Sequence, residues 1–139
     1  MTQKITARFI IQIAGRPVET VEKALETIVN KIKEDKKLKV LEEEIIPAEL
    51  DEESKLYSGI IELTIKFEDA RQLLGFIADF TPNSVEIEEP QSLKFESFDF
   101  TEILNDMSTH LLKTNIQLRQ AQSHIFSLNK KVKELEGSK

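Results

Sequence analysis

The sequence predicts an α+β fold: a ferredoxin-like βαββαβ sandwich followed by a long C-terminal coiled-coil helix. Three observations carry this. Apolar residues alternate with a period of two in three separate stretches, and two intervening stretches switch to the three-and-four spacing of an amphipathic helix. The last third of the chain then holds a strict heptad pattern. Sequence order therefore runs strand, helix, strand, strand, helix, strand, long helix.

Residues 3–13 form the first expected strand, with Ile5, Ala7, Phe9, Ile11 and Ile13 on one face and Thr6, Arg8, Ile10 and Gln12 on the other. Gly15-Arg16-Pro17 turns the chain, and Pro17 suits the first helical position. From there to Asp35, Val18, Val21, Leu25, Ile28 and Ile32 recur on one helical face, with glutamates early and lysines late as the helix dipole prefers. Residues 37–46 make the second strand, and the acidic stretch 47–54 an irregular connection opened by Pro47. In the third strand, 56–67, Tyr57, Gly59, Ile61, Leu63, Ile65 and Phe67 share a face. A helix over 69–80 presents Ala70, Leu73, Leu74, Ile77 and Phe80, and Thr81-Pro82-Asn83 ends it. Val85 and Ile87 open a fourth strand that Leu93 and Phe95 continue beyond Pro90, which marks an edge or a bulge. Two right-handed crossovers then give a four-stranded antiparallel sheet with both helices on one face.

The long helix is expected from Asp99, where Asp99 and Glu102 have capping-box spacing, to Glu136. Leu104, Leu111, Leu118, Ile125 and Val132 occupy heptad position a; Met107, Thr114, Ala121, Leu128 and Leu135 occupy d. At ~1.5 Å per residue this helix is roughly 57 Å long, more than the preceding domain can cover. Its stripe is expected to meet another helix, most simply that of a second copy, with a dimer favoured. The e and g flanks are mostly uncharged (Ser108, Asn115, Gln122 and Asn129; His110, Gln117 and His124), so charge does little to select a partner. Leu112, Ile116 and Phe126 lie off the stripe and fit either the open sheet face or a broader bundle, and Phe95, Phe98 and Phe100 are expected to anchor the helix base. The domain boundaries are thus 1–97 for the sandwich and 98–139 for the oligomerising helix.

Composition limits the function classes. Acidic residues outnumber basic ones, 25 to 19, for a net charge of −6, which argues against duplex nucleic acid or an anionic membrane as main partner. The absence of cysteine removes disulfide and thiolate chemistry and fits a cytoplasmic protein. The N-terminal apolar run is too short for a signal peptide, and no stretch spans a bilayer. The acidic run Glu42, Glu43, Glu44, Glu49, Asp51, Glu52 and Glu53 fits a basic protein partner, or a solvated edge that keeps strands of different molecules from pairing; the second reading is preferred.

No catalytic residue, cofactor or metal site is assigned. Both histidines lie on the coiled-coil stretch, no glycine loop cradles phosphate, and Glu102, Asp106 and His110 on one helix supply too few metal ligands. RNA-binding domains of this topology stack bases on central-strand aromatics, whereas the outward positions here are Arg8, Ile10, Gln12, Ile60, Glu62, Thr64 and Lys66. The Ala14-Gly15-Arg16-Pro17 turn resembles the ligand turn of small-molecule-sensing ACT domains, though without their acidic-Pro-Gly order; the resemblance implies ligand contact at Gly15 and Arg16. IAGRPVETVEKAL, LLGFIADFTPNSVEIEEP and FTEILNDM resemble an uncharacterised archaeal family with a ferredoxin-like domain and a C-terminal coiled-coil helix. That resemblance implies fold and no particular chemistry. The function expected from the residues is a non-enzymatic, self-associating interaction module, with an ACT-like sensor and an RNA-binding domain as the alternatives.

Overall fold

The computed structural model describes residues 3–137. Its elements are β1 (Ile5–Gly15), α1 (Val18–Glu34), β2 (Lys39–Asp51), β3 (Leu56–Phe67), α2 (Ala70–Phe80), β4 (Ser84–Glu89) and α3 (Ser97–Gly137). The strands form one antiparallel sheet in the order β2-β3-β1-β4. This is the ferredoxin-like arrangement, with each pair of crossover-linked strands separated by a central neighbour running the other way.

The alternation in β1 and β3 places one apolar face against the helices. Ile5, Ala7, Phe9 and Ile11 stand level with Phe67, Ile65, Leu63 and Ile61, all of them buried. Onto this surface α1 lays Val21, Leu25, Val29 and Ile32, and α2 lays Leu73 and Phe76. Val29 and Phe76 extend the stripes expected for the two helices. Phe76 is the hub of an aromatic cluster, with ring centroids 4.6 Å from Phe9, 5.8 Å from Phe67 and 4.9 Å from Phe80.

Gly59 faces the same core, and its reason is space. A Cβ there would lie 2.5 Å from the Leu25 side chain and 3.3 Å from the Ile46 carbonyl oxygen. Leu25 is itself fully buried, so it has little freedom to yield. Gly59→Ala is expected to cost about 1–3 kcal/mol by overpacking, measured as a lowered chemical-denaturation midpoint.

Local signals set the ends of elements. The Asp69 carboxylate caps α2, accepting from the Gln72 N–H at 2.9 Å, while the Gln72 side chain accepts from the Glu68 N–H at 2.8 Å. Thr81, left-handed at φ 42°, stops α2. Asn83 ties the following chain to β1: its side chain accepts from the Gln12 N–H at 2.8 Å, and its N–H donates to the Ile10 carbonyl at 2.7 Å.

Four expectations are corrected. The connection predicted over 47–54 is largely strand: β2 pairs with β3 as far as Asp51 opposite Leu56. Pro47 falls in a register break between Ile46 and Glu49, where its missing N–H leaves no gap in the ladder. The true turn is 52–55, held by the Asp51 carboxylate accepting from the Glu53 N–H (3.1 Å) and the Ser54 hydroxyl (3.0 Å). Pro17 caps α1 from outside its first turn, its carbonyl accepting from the Thr20 N–H at 3.1 Å. β4 stops at Glu89, so Leu93 and Phe95 do not continue it; Leu93 packs beside the core instead. Finally, Phe98 is 74% exposed and anchors nothing, whereas Phe95 and Phe100 contact one another, with centroids 5.7 Å apart.

Candidate self-association surface

The described residues separate into a compact unit ending at Phe100 and a second unit from Thr101 onward, which is the body of α3. That helix is 41 residues long and continuous. Its length follows from composition, since from Glu102 to Glu136 it holds neither glycine nor proline. Ile103 is its one buried described residue, and every described residue from Met107 onward is exposed.

All ten predicted seam residues lie on this one helix. Leu104, Met107, Leu111, Leu118, Ile125, Leu128, Val132 and Leu135 are each large, apolar and exposed, Leu111 at 61% and Leu118 at 55%. Thr114 and Ala121, also exposed, are the two small members. The Thr114 hydroxyl donates to the His110 carbonyl one turn back at 3.0 Å, so its polar hydrogen is already satisfied by its own helix. Burying Thr114 in a seam would therefore leave no unpaired donor. A two-residue-wide strip repeating every seven positions is too narrow for a globular core and has the shape of a helix–helix joint.

The sheet face turned away from α1 and α2 is largely polar. On β1 and β3 that face carries Thr6, Arg8, Ile10 and Gln12 beside Ser58, Ile60, Glu62, Thr64 and Lys66, with Ile46 on β2. Polar pairs occupy much of it: Arg8 Nη2 lies 3.2 Å from Glu62 Oε2, and the Gln12 amide donates to the Ser58 hydroxyl at 2.6 Å. Ile10, Ile46, Ile60 and Leu56 are the larger apolar side chains on that face. Leu112, Ile116 and Phe126, the off-seam apolar residues, are exposed, with Phe126 at 72%.

The remaining candidate positions do local work. Gly15 ends β1 with no left-handed φ, and a Cβ there would sit an ordinary 3.7 Å from Val21. The turn therefore does not require glycine, and the neighbouring Arg16 is exposed. In the acidic run, Glu43 points to the helix side and pairs with Lys33 at 2.7 Å, while Glu42 and Glu44 stand on the other face level with Thr64 and Glu62. The run lines a sheet edge, where charge opposes strand pairing between molecules. Among the described residues, no group of three or more His, Asp or Glu side chains is placed to hold a metal ion, and no helix is long and apolar enough to cross a membrane.

The model of one protein family matches residues 6–139, from the first strand to the end of the chain. The chain belongs to the MJ0538 family. This is an uncharacterised family named after an archaeal protein. No curated protein and no solved structure matches the chain. Membership extends over both the sandwich and α3, so the long helix is part of what the MJ0538 family model describes.

Proposed function

We propose that this protein is a non-enzymatic, self-associating interaction module that assembles through the α3 seam, most simply as a dimer. One observation supports the reading above the others: five consecutive heptads of a and d residues stand exposed on a single uninterrupted helix. Burying a large aliphatic side chain is worth about 1.5–3 kcal/mol. Eight such residues per chain make a strong drive toward a partner of matching spacing, and a second copy has that spacing by definition.

Light scattering on the full chain and on a chain ending at Phe100 tests the reading. The full chain, of 16.0 kDa, is expected at twice its own mass or more, and the shortened chain at the mass of one copy. A full chain that stays at single-copy mass at concentrations well above micromolar would overturn it.

A further inference from the structure

Beyond association itself, the composition of the seam sets a direction. Resting on the self-association proposed above, we infer that two copies pair with their α3 helices antiparallel, in the register that sets Leu104 across Leu135 of the partner subunit. The first argument is packing. In a parallel, in-register pair every layer matches a residue with its own copy. Thr114 would meet threonine and Ala121 would meet alanine, leaving two underfilled layers in the middle of the joint.

Reversing one helix makes each a residue face a d residue of the other. Thr114 then meets the partner's Ile125, and Ala121 meets the partner's Leu118. Each small side chain receives a branched aliphatic one, so large and small alternate across the joint as close packing requires. The same register leaves no a or d position overhanging at either end: Met107 faces the partner's Val132, and Leu111 faces the partner's Leu128.

Charge gives an independent argument in the same direction. Of the 25 acidic residues, all but Glu102, Asp106, Glu134 and Glu136 precede Thr101. Between Met107 and Lys133 the helix has Lys113, Arg119, Lys130, Lys131 and Lys133 and no carboxylate. A parallel pair sets the two lysine clusters side by side on neighbouring helices, at a spacing comparable to the Debye length of ~10 Å. The antiparallel pair moves the two lysine clusters to opposite ends of the joint and brings Asp106 level with the partner's Lys133. Glu134 and Glu136 offset part of the lysine charge without changing its sign over 130–136. Opposed helix dipoles add to the preference. On the flanks, Lys131 at g would face the partner's Glu136 at e in a parallel pair, one opposing contact per side at the end of the joint, while Asn115, Gln117 and Gln122 are uncharged and impose no preference.

Dipolar electron paramagnetic resonance on the full chain tests this, because the sequence has no cysteine and a single introduced thiol is the only labelling site. Asn105→Cys and Lys133→Cys both place a spin label on exposed positions away from the seam. In the antiparallel register two Asn105→Cys copies hold their labels ~44 Å apart along the joint, at the helical rise per residue. An equimolar mixture of the two variants adds a distance under about 20 Å, the span of two labels on neighbouring helices. A short distance between two Asn105→Cys copies, alone or beside a long one, overturns the antiparallel pair while leaving self-association standing. No dipolar coupling in any sample removes the pairing itself and with it the function proposed above.

Discussion

Replacing Leu111 and Leu118 together with aspartate is expected to leave the full-length protein as single copies, with its sandwich folded. Both leucines sit at a positions in the middle of the seam and are more than half exposed in one chain. In a pair the double variant buries four carboxylates, two from each copy, on a surface whose other members, apart from Thr114, are apolar. Each must either remain charged at a cost of several kcal/mol or take up a proton well above its usual range. The apolar area of the leucines is lost as well, at about 1.5–3 kcal/mol per side chain. Together these exceed the free energy of a micromolar dimer, about 8 kcal/mol. Light scattering should report the mass of one copy. Circular dichroism should report reduced helix signal, because a long helix without packing on its apolar stripe is marginal in water. Cooperative thermal unfolding should persist, since neither residue belongs to the cluster of Phe9, Leu63 and Phe76. Loss of that transition would show that α3 and the sandwich share one core.

The same separation explains which parts of the structure were legible in the sequence. Where one face of an element is buried and the other wet, hydrophobic period and structure coincide. β1, β3 and α2 fall within a residue or two of their expected limits for this reason. The sequence pattern understates β2 because its burial is weak on both faces: it is an edge strand in which Glu42, Glu43 and Glu44 mask the alternation. Its continuation past Pro47 depends on pairing with β3, a tertiary fact that no local pattern encodes. The phenylalanines of 95–100 misled for the opposite reason. Three aromatic residues close together read as an anchor, but hydrophobicity alone does not fix direction, and Phe98 points to solvent. The seam was fully legible as a pattern. A partner is not legible in the same way, because a heptad specifies the shape of a complementary surface and not its owner.

Phe9→Ala is expected to be the most damaging single change in the sandwich, costing about 3–5 kcal/mol. Phe9 is completely buried on central strand β1, with ring centroids 4.6 Å from Phe76 and 5.8 Å from Phe67. Truncation removes transfer free energy and opens a cavity between the sheet and α2, and it also breaks two aromatic contacts worth ~0.5–1.5 kcal/mol each beyond their area. Neighbours cannot close the gap cheaply, because Phe67 and Leu63 are held by their own strand pairing. A domain of this size has about 5–15 kcal/mol in total, so the loss is a large share of it. At roughly 4–8 °C per kcal/mol the thermal midpoint should fall by more than about 10 °C. Phe98→Ala supplies the contrast within the same composition class. That ring is 74% exposed, so its removal should change stability by no more than about 0.5 kcal/mol. Equal losses from the two substitutions would mean that Phe98 is covered in solution.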